Sequence, residues 1–224
     1  MASGNNRGLR SRLTPHNLPL FPEQTLFGSV ARTVCTAGCL PRKELYEAWE
    51  VARRVRRRFR GGRVVELASG HGLLAYLMLI LDDSSPQAWA VDRRQPKSAA
   101  TLAGVIEARW PRLAGRVHRQ EADIESFELQ RDDVVVSAHA CGPLTDKVIA
   151  RAIAARARVA VLPCCHSLAK CDTGGLTGWV DGPLAIDMTR AARLHAAGYQ
   201  VHTQSIPEDI SPQNRLLFGD PRRP

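Results

Sequence analysis

The sequence lacks several features that would place it in a special class of protein. It has no apolar run long enough to cross a membrane, and its basic N-terminus lacks the apolar segment of a signal peptide. It also has no internal repeat and no C-x-x-C pair of the kind found in many zinc sites. These absences predict a cytoplasmic protein whose six cysteines are free thiols, ligands or catalytic groups rather than disulfides.

Acidic residues are outnumbered by basic ones, and this imbalance is the clearest signal in the composition. Asp and Glu total 22 against 31 Lys and Arg, which gives a net charge of +9 and a pI of about 9.8. A basic surface favours a polyanionic partner such as nucleic acid. The 224 residues fit one folded domain. We predict a basic extension over residues 1–40, which includes Arg7 and Arg10, a folded domain over 41–219 and a tail over 220–224.

The chain is organised around the stretch RVVELASGHG at 63–72. Val64, Val65 and Leu67 predict a short buried strand, and the apolar run 73–81 predicts a helix after the glycine turn. Strand, turn and helix together form the nucleotide-binding corner of an open α/β sheet, with free N–H groups at the helix N-terminus. No third glycine follows at the dinucleotide spacing, which disfavours a pyrophosphate loop. The pattern E-x-x-x-G-x-G instead resembles the first motif of class I S-adenosylmethionine (SAM) methyltransferases.

Strands and helices alternate along the rest of the domain. Further strands are predicted over 87–92, 116–121, 132–138, 158–162, 199–205 and 215–219. With helical patterns between them, they predict a doubly wound, Rossmann-like α/β sheet of about seven strands, the last pair partly antiparallel. Asp92 ends the second strand, where a carboxylate can accept hydrogen bonds from both ribose hydroxyls. Asp123 and Ile124 follow the third strand, where they can bind the adenine amino group and pack on its ring.

The segment 42–60 predicts an amphipathic helix that is rich in arginine. Its apolar stripe consists of Leu45, Trp49, Ala52, Val55 and Phe59. Its arginines form either a solvated face partly paired with Glu47 and Glu50 or a surface that contacts phosphates. No acidic residue follows Glu50 within the helix, which favours the second interpretation. The predicted nucleic-acid contacts are Arg53, Arg56, Arg57 and Arg60.

A second cluster of reactive residues follows strands four and five. His139, Cys141, Cys164, Cys165 and His166 are far apart in sequence but should converge beside the methyl group of the cofactor. Three roles are open: a general base at either histidine, a metal site or covalent catalysis by a thiolate. Adjacent cysteines rarely ligate one zinc, and the flanking residues differ from those of cytosine-C5 methyltransferases. The base is therefore preferred, no metal is predicted, and some of the cysteines could simply fill a tight pocket.

Several motifs together resemble one known family. They are PRKELYEAWE at 41–50, ELASGHG at 66–72, SAHACGPLTD at 137–146, LPCCHS at 162–167 and SPQNRLLFG at 211–219. These stretches resemble the methyltransferase domain shared by the tRNA acceptor-stem 2′-O-methyltransferases and the methyltransferase-like proteins described as rRNA adenine dimethylase domain-containing. The resemblance covers residues 41–219 and implies a class I SAM-methyltransferase fold.

The resemblance also implies a cofactor site and a substrate side. The expected SAM contacts are Glu66, Ala68, Gly70, Gly72, Asp92, Asp123 and Ile124. The histidines and cysteines that follow strands four and five are expected to lie on the substrate side of the cofactor. We therefore predict a SAM-dependent methyltransferase that acts on RNA, either tRNA or rRNA. The alternatives are a methyltransferase for protein or small molecules and a non-catalytic, SAM-binding module that binds RNA.

Overall fold

The computed structural model describes residues 11–221, which fold around one mixed sheet. Its strands are β1 (Val64–Leu67), β2 (Ala88–Asp92), β3 (Val117–Glu121), β4 (Val134–Ser137), β5 (Arg158–Val161), β6 (Tyr199–Ser205) and β7 (Arg215–Pro221). Within the described residues the sheet has seven strands in the order β3-β2-β1-β4-β5-β7-β6. All neighbouring strands are parallel except those that pair with β7. The predicted doubly wound sheet is confirmed.

The helices cover both faces of this sheet. They are α1 (Leu26–Ala37), α2 (Arg42–Arg58), α3 (Leu73–Leu81), α4 (Ala99–Arg109), α5 (Pro143–Ala155) and α6 (Gly182–Ala196). Because successive strand residues point to opposite faces, Val64 and Val134 pack in the core with α1–α4, whereas Val65 and Val135 pack in the core with α5 and α6. None of the described helices has both the length and the apolar character needed to cross a membrane.

The strand order reverses between β1 and β4, and this reversal locates the ligand crevice. In open α/β sheets, ligands bind outside the carboxyl ends of the strands at this point. The turns after β1 and β2 and the loops after β4 and β5 therefore share one edge, called the cofactor edge below. The N-terminal ends of the parallel strands form the opposite edge.

The described part of the predicted extension packs against the domain. A short 3₁₀ helix, Pro15–Leu20, precedes α1. The backbone N–H of Leu13 donates to the carbonyl of Leu40 at 2.8 Å, and the ring of Phe27 lies 5.2 Å from those of Tyr46 and Trp49 on α2. Residues 11–40 therefore extend the core that covers one face of the sheet. Arg7 and Arg10 lie outside the described residues, and the boundary at residue 40 stays a prediction.

Candidate functional site

The turn between β1 and α3 adopts an unusual backbone that suits a ligand. Ala68, Gly70 and Gly72 all have positive φ angles, of 56°, 52° and 76°. A Cβ built on Gly72 would lie 3.0 Å from the Cβ of Ala90, so the turn passes close to β2. A Cβ on Gly70 would meet nothing within 4 Å. The turn thus stays tight on its inner side and open on the side where a ligand could approach the backbone.

Glu66 lies beneath this turn and is buried. Its Oε2 accepts a hydrogen bond of 2.8 Å from the backbone N–H of Ala75, near the start of α3. Burial raises the pKa of its carboxyl to about 8, although the hydrogen bond from Ala75 opposes the shift. Glu66 therefore joins the end of β1 to the N-terminus of α3 and fixes the angle at which the helix leaves the turn.

Asp92 closes the other side of the corner. Its Oδ2 accepts from the backbone N–H of Gly70 at 2.8 Å, and its Oδ1 accepts from the N–H of Arg94 at 3.2 Å. A carboxylate has about four lone-pair sites on its two oxygens, so these two contacts leave acceptor capacity for a ligand hydroxyl. These hydrogen bonds hold Asp92 at the end of β2, the position at which its role as a ribose acceptor was predicted.

One buried polar group in this corner has no partner within the described chain. The Ser69 hydroxyl is fully covered but forms no hydrogen bond. It lines a narrow pocket of about 10 Å³ together with Glu66, His71 and His139. Buried hydroxyls are normally hydrogen-bonded, and a pocket of this size has room for about one water molecule or one polar atom of a ligand. The residues of the corner therefore fit a polar cofactor such as SAM.

The two residues after β3 that were predicted to contact the adenine differ in their accessibility. Asp123 is half exposed, with one oxygen accepting from the N–H of Glu125 at 3.0 Å and the other 3.7 Å from Nε of Arg93. Ile124 is only 5% exposed and packs with Val91 in the core of the sheet. Asp123 is thus available to an adenine amino group, whereas Ile124 offers little surface for packing on a ring.

Three cysteines predicted to converge do meet at the cofactor edge. Cys141 Sγ lies 3.1 Å from Cys164 Sγ and 3.4 Å from Cys165 Sγ, and the last two sulfurs are 3.8 Å apart. Cys141 and Cys165 are exposed, and Cys164 is partly buried. Burial raises the pKa of the Cys141 and Cys164 thiols. Among the described residues, these three form the one group of three or more potential metal ligands whose ligand atoms lie close together.

A buried arginine holds the loops that carry these cysteines. Arg190 on α6 donates from Nη2 to the carbonyl of Gly142 at 2.9 Å and to Asp146 at 2.9 Å. The N–H of Gly142 in turn donates to the carbonyl of Cys165 at 3.2 Å, which ties the loop after β4 to the loop after β5. Arg190 is completely buried. No sequence pattern indicated this role, because an arginine inside a helical pattern gives no sign that it is buried.

The two histidines of the cluster have different surroundings. The His166 side chain is buried, and its Nε2 lies 2.9 Å from Oδ1 of Asp187 on α6. Asp187 also accepts from Arg190 and Arg215; burial raises the pKa of its carboxyl, but hydrogen bonds from His166 and Arg215 lower it below the ordinary value. His139 is partly exposed and faces the pocket beside Ser69. Of the two, His139 is placed to meet a ligand.

His71 is a further residue of this pocket to which the sequence assigned no role. It follows Gly70 in the turn, and its Nε2 lies 3.0 Å from the hydroxyl of Ser98. Burial lowers the pKa of its imidazole. A neutral imidazole is therefore favoured here, one that can donate or accept a hydrogen bond. The only sequence feature that could have indicated a role for His71 in the site is its position inside the glycine motif.

One of the four predicted nucleic-acid contacts, Arg56, is wrong. Arg56 is buried: its Nε donates to the carbonyl of Met78 at 2.8 Å, and its Nη1 lies 3.4 Å from Oδ2 of Asp82. Burial lowers the pKa of its guanidinium to about 10. Arg56 cannot contact nucleic acid, because the protein encloses it. The prediction failed since its acidic partner comes from the end of α3 rather than from α2.

The remaining predicted nucleic-acid contacts lie in the C-terminal part of α2 and just after it. Arg57 and Arg60 are exposed, and Arg53 is partly exposed and pairs with Glu50 at 2.9 Å. The carbonyl of Arg60 accepts a hydrogen bond from Arg158 at the start of β5. The N-terminal end of α2 instead lies at the cofactor edge, where Glu44 lines the Ser69 pocket. The exposed arginines therefore sit toward the opposite edge.

Sequence comparison places this site within a described family. Residues 43–171 match the model of a family described as a methyltransferase domain, which is more than half of the chain. The match begins in α2 and ends after the loop that carries Cys164 and Cys165. It therefore includes the whole cofactor corner and all three clustered cysteines. No curated protein matches the sequence.

Solved methyltransferase structures share the fold at low sequence identity. An O-methyltransferase family protein from Burkholderia thailandensis is 19% identical, with a TM-score of 0.54 over 96% of this chain and 66% of its own, so the chain spans just under two thirds of that protein. The ribosomal protein L11 methylase from Lactobacillus delbrueckii subsp. bulgaricus is 13% identical, with a TM-score of 0.51 over 79% of this chain and 77% of its own. The precorrin-6y C5,15-methyltransferase from Geobacter metallireducens GS-15 is 12% identical, with a TM-score of 0.51 over 78% of this chain and 87% of its own. These likenesses show the class I, Rossmann-like methyltransferase fold.

Proposed function

Because the chain belongs to the methyltransferase-domain family that its residues 43–171 match, we propose that it transfers a methyl group from SAM to RNA. Family membership makes it a SAM-dependent methyltransferase, and RNA as the substrate is our proposal. Within RNA we favour tRNA or rRNA, since the motifs at 137–146 and 162–167 resemble those of the tRNA acceptor-stem enzymes and their methyltransferase-like relatives.

Positive charge at the cofactor edge is the observation that carries this choice. Arg94 and Lys97 follow β2, and Lys170 lies in the loop after β5. All three are exposed, and none forms an ion pair with another described residue. Unpaired cations beside the reacting group can neutralise phosphates and position an RNA strand. The net charge of +9 supports the same partner.

The residues of the site divide between holding the cofactor and preparing the nucleophile. SAM supplies an electrophilic methyl group when it is bound. Asp92 would accept hydrogen bonds from its ribose hydroxyls, and Ser69 would supply a hydroxyl to a polar atom of the cofactor. His139 acts as the general base that removes a proton from the attacking RNA atom, since it is partly exposed after β4, beside the cofactor corner. His166 positions the loop after β5 through Asp187.

The reaction is tested first by nucleoside mass spectrometry. Purified protein is incubated with SAM carrying a labelled methyl group and with total RNA, total protein or a small-molecule extract from cells that lack the protein. We expect label in one nucleoside of the RNA, and His139→Ala should lose that activity while it still binds SAM. Label in protein or in small molecules but not in RNA would contradict the RNA substrate. SAM binding without any turnover would favour a non-catalytic RNA-binding module.

The RNA surface is tested with two charge-matched variants. One replaces Arg94, Lys97 and Lys170 with alanine. The other removes three charges from α2 and the residues just after it, through Arg53→Ala, Arg57→Ala and Arg60→Ala. Each lost phosphate contact should reduce the slope of log affinity against log salt by about 0.9 on duplex RNA, and by somewhat less on single strands. We expect the larger change in the first variant. A change confined to the second variant would instead locate the contact on α2, as predicted from the sequence.

A further inference from the structure

The structure contains a triangle of thiols that the methyl-transfer chemistry described above does not use. We propose that Cys141, Cys164 and Cys165 bind a single thiophilic metal ion, with zinc as the leading candidate. Their three sulfur–sulfur distances are 3.1, 3.4 and 3.8 Å. This proposal departs from the sequence-based expectation of no metal, which rested on the spacing of the cysteines along the chain.

The size of the triangle fits one ion. Zinc–sulfur bonds of about 2.3 Å in a tetrahedral arrangement place the ligand sulfurs about 3.8 Å apart. Cys164 and Cys165 already have this separation, and the Cys141 sulfur would have to move outward by roughly 0.4–0.7 Å from the other two. A disulfide requires about 2.05 Å, so none of the three pairs is bonded in this state. An iron–sulfur cluster would spread its thiolates over several irons. Here all three sulfurs lie within reach of one central ion.

The backbone around the cysteines explains how two adjacent residues can serve one site. Cys164 and Cys165 follow β5 in a segment that is neither helix nor strand, so their side chains are not forced to opposite faces as they would be in a strand. The loop that carries Cys141 is fixed to this segment by the hydrogen bond from Gly142 to Cys165 and by buried Arg190. Ligands held by such supports need little rearrangement to bind an ion.

The site offers three ligands and leaves one position open. No His, Asp or Glu of the described chain joins the group closely enough to be a fourth ligand. Cys141 and Cys165 are exposed, so the open position faces the solvent at the cofactor edge. Three protein ligands and an open position are typical of catalytic rather than structural zinc sites. The fourth ligand would be water or a substrate atom.

Metal content tests the proposal directly, whatever the substrate of the methyl transfer. The protein is purified under anaerobic, reducing conditions without a chelator or a metal-affinity tag, and its metals are measured by plasma mass spectrometry. We expect about one zinc per chain. Cobalt(II) in its place should give thiolate-to-metal charge-transfer bands. Cys164→Ser should abolish the bands and the bound zinc, whereas Cys39→Ala, a buried cysteine outside the triangle, should keep both.

A second measurement needs no variant and covers the case in which Cys164→Ser fails to fold. Wild-type protein is stripped of metal, treated with iodoacetamide with or without one equivalent of zinc, and digested for peptide mass spectrometry. We expect zinc to slow alkylation of Cys141 and Cys165 at least tenfold. Equal alkylation with and without zinc, in folded and fully reduced protein, would overturn the proposal. So would wild-type protein that takes up neither zinc nor cobalt, or a Cys164→Ser variant that retains the full cobalt spectrum.

Discussion

Replacing Glu66 with glutamine should change how the stability of the fold depends on pH. The carboxyl is buried beneath the glycine turn, and burial raises its pKa to about 8 from an ordinary value of 4.5. Glutamine keeps the shape and the oxygen that accepts the hydrogen bond from Ala75, but it cannot ionise. Any difference between the two proteins that varies with pH therefore reports the ionisation of Glu66.

The direction in which the free energy of unfolding changes with pH depends on how many protons the folded and unfolded states bind. Between the ordinary and the raised pKa, the folded protein keeps the Glu66 proton while the unfolded chain releases it. The unfolded state then binds fewer protons, so the free energy of unfolding of wild type falls as pH rises, by about 1.4 kcal/mol per pH unit at most. The stabilisation by the neutral carboxyl is complete below pH 4.5 and is lost by the time pH passes about 8. Over that window the loss is on the order of 4 kcal/mol.

Urea unfolding at pH 5, 6, 7 and 8 measures this loss. We expect the stability of wild type relative to Glu66→Gln to decrease steadily across the series, while Glu208→Gln, which changes an exposed carboxylate, should show no such trend. A difference between wild type and Glu66→Gln that stays constant from pH 5 to pH 8 would refute the inference that burial keeps this carboxyl protonated.

Three further substitutions probe the buried arginine of α2, the cofactor corner and the base. Arg56→Ala should lower the free energy of unfolding by about 1–3 kcal/mol, because it leaves the buried carbonyl of Met78 and the hydroxyl of Ser85 without their donor. Asp82 keeps Arg60 as an ion-pair partner, and exposed Arg57→Ala should stay within about 0.5 kcal/mol of wild type by urea unfolding. Asp92→Ala should weaken SAM binding by about 1.5–3 kcal/mol in calorimetry, and unchanged affinity in a folded variant would contradict its place in the cofactor site. His139→Ala should reduce turnover by about 10²–10⁴-fold while calorimetry shows SAM affinity retained.

The sheet and its helices could be predicted from the sequence because each has a strong local signal. Buried parallel strands appear as short apolar runs, and the helix predicted over 73–81 matches the observed Leu73–Leu81. Strand bounds were predicted within two residues at β1, β2 and β5. The cofactor corner could also be predicted, because a strand, a glycine turn and a helix that are adjacent in sequence must also be adjacent in space.

Partners that come from distant parts of the chain could not be predicted. The helical pattern showed that Arg56 lies off the apolar stripe of α2, but not that Asp82 at the end of α3 would cover it. The same limit applies to His166, whose pairing with Asp187 depends on how α6 packs beside the loop after β5. In both cases the deciding contact joins two elements whose relative position no local pattern encodes.

Net charge alone therefore says little about what this protein binds, and the location of each charge must be considered. Arg56 and Arg190 are enclosed and pair with the carboxylates of Asp82 and Asp146, so neither is available to a polyanion. Arg60 is exposed but lies toward the edge opposite the cofactor. An RNA whose target atom reaches His139 must instead pass the loop after β2, where Arg94 and Lys97 carry unpaired charge, and the loop after β5, where Lys170 does. The positive charge that bears on an RNA substrate is thus the small exposed set at the cofactor edge, and removing that set is a sharper test than any variant of the arginine-rich helix.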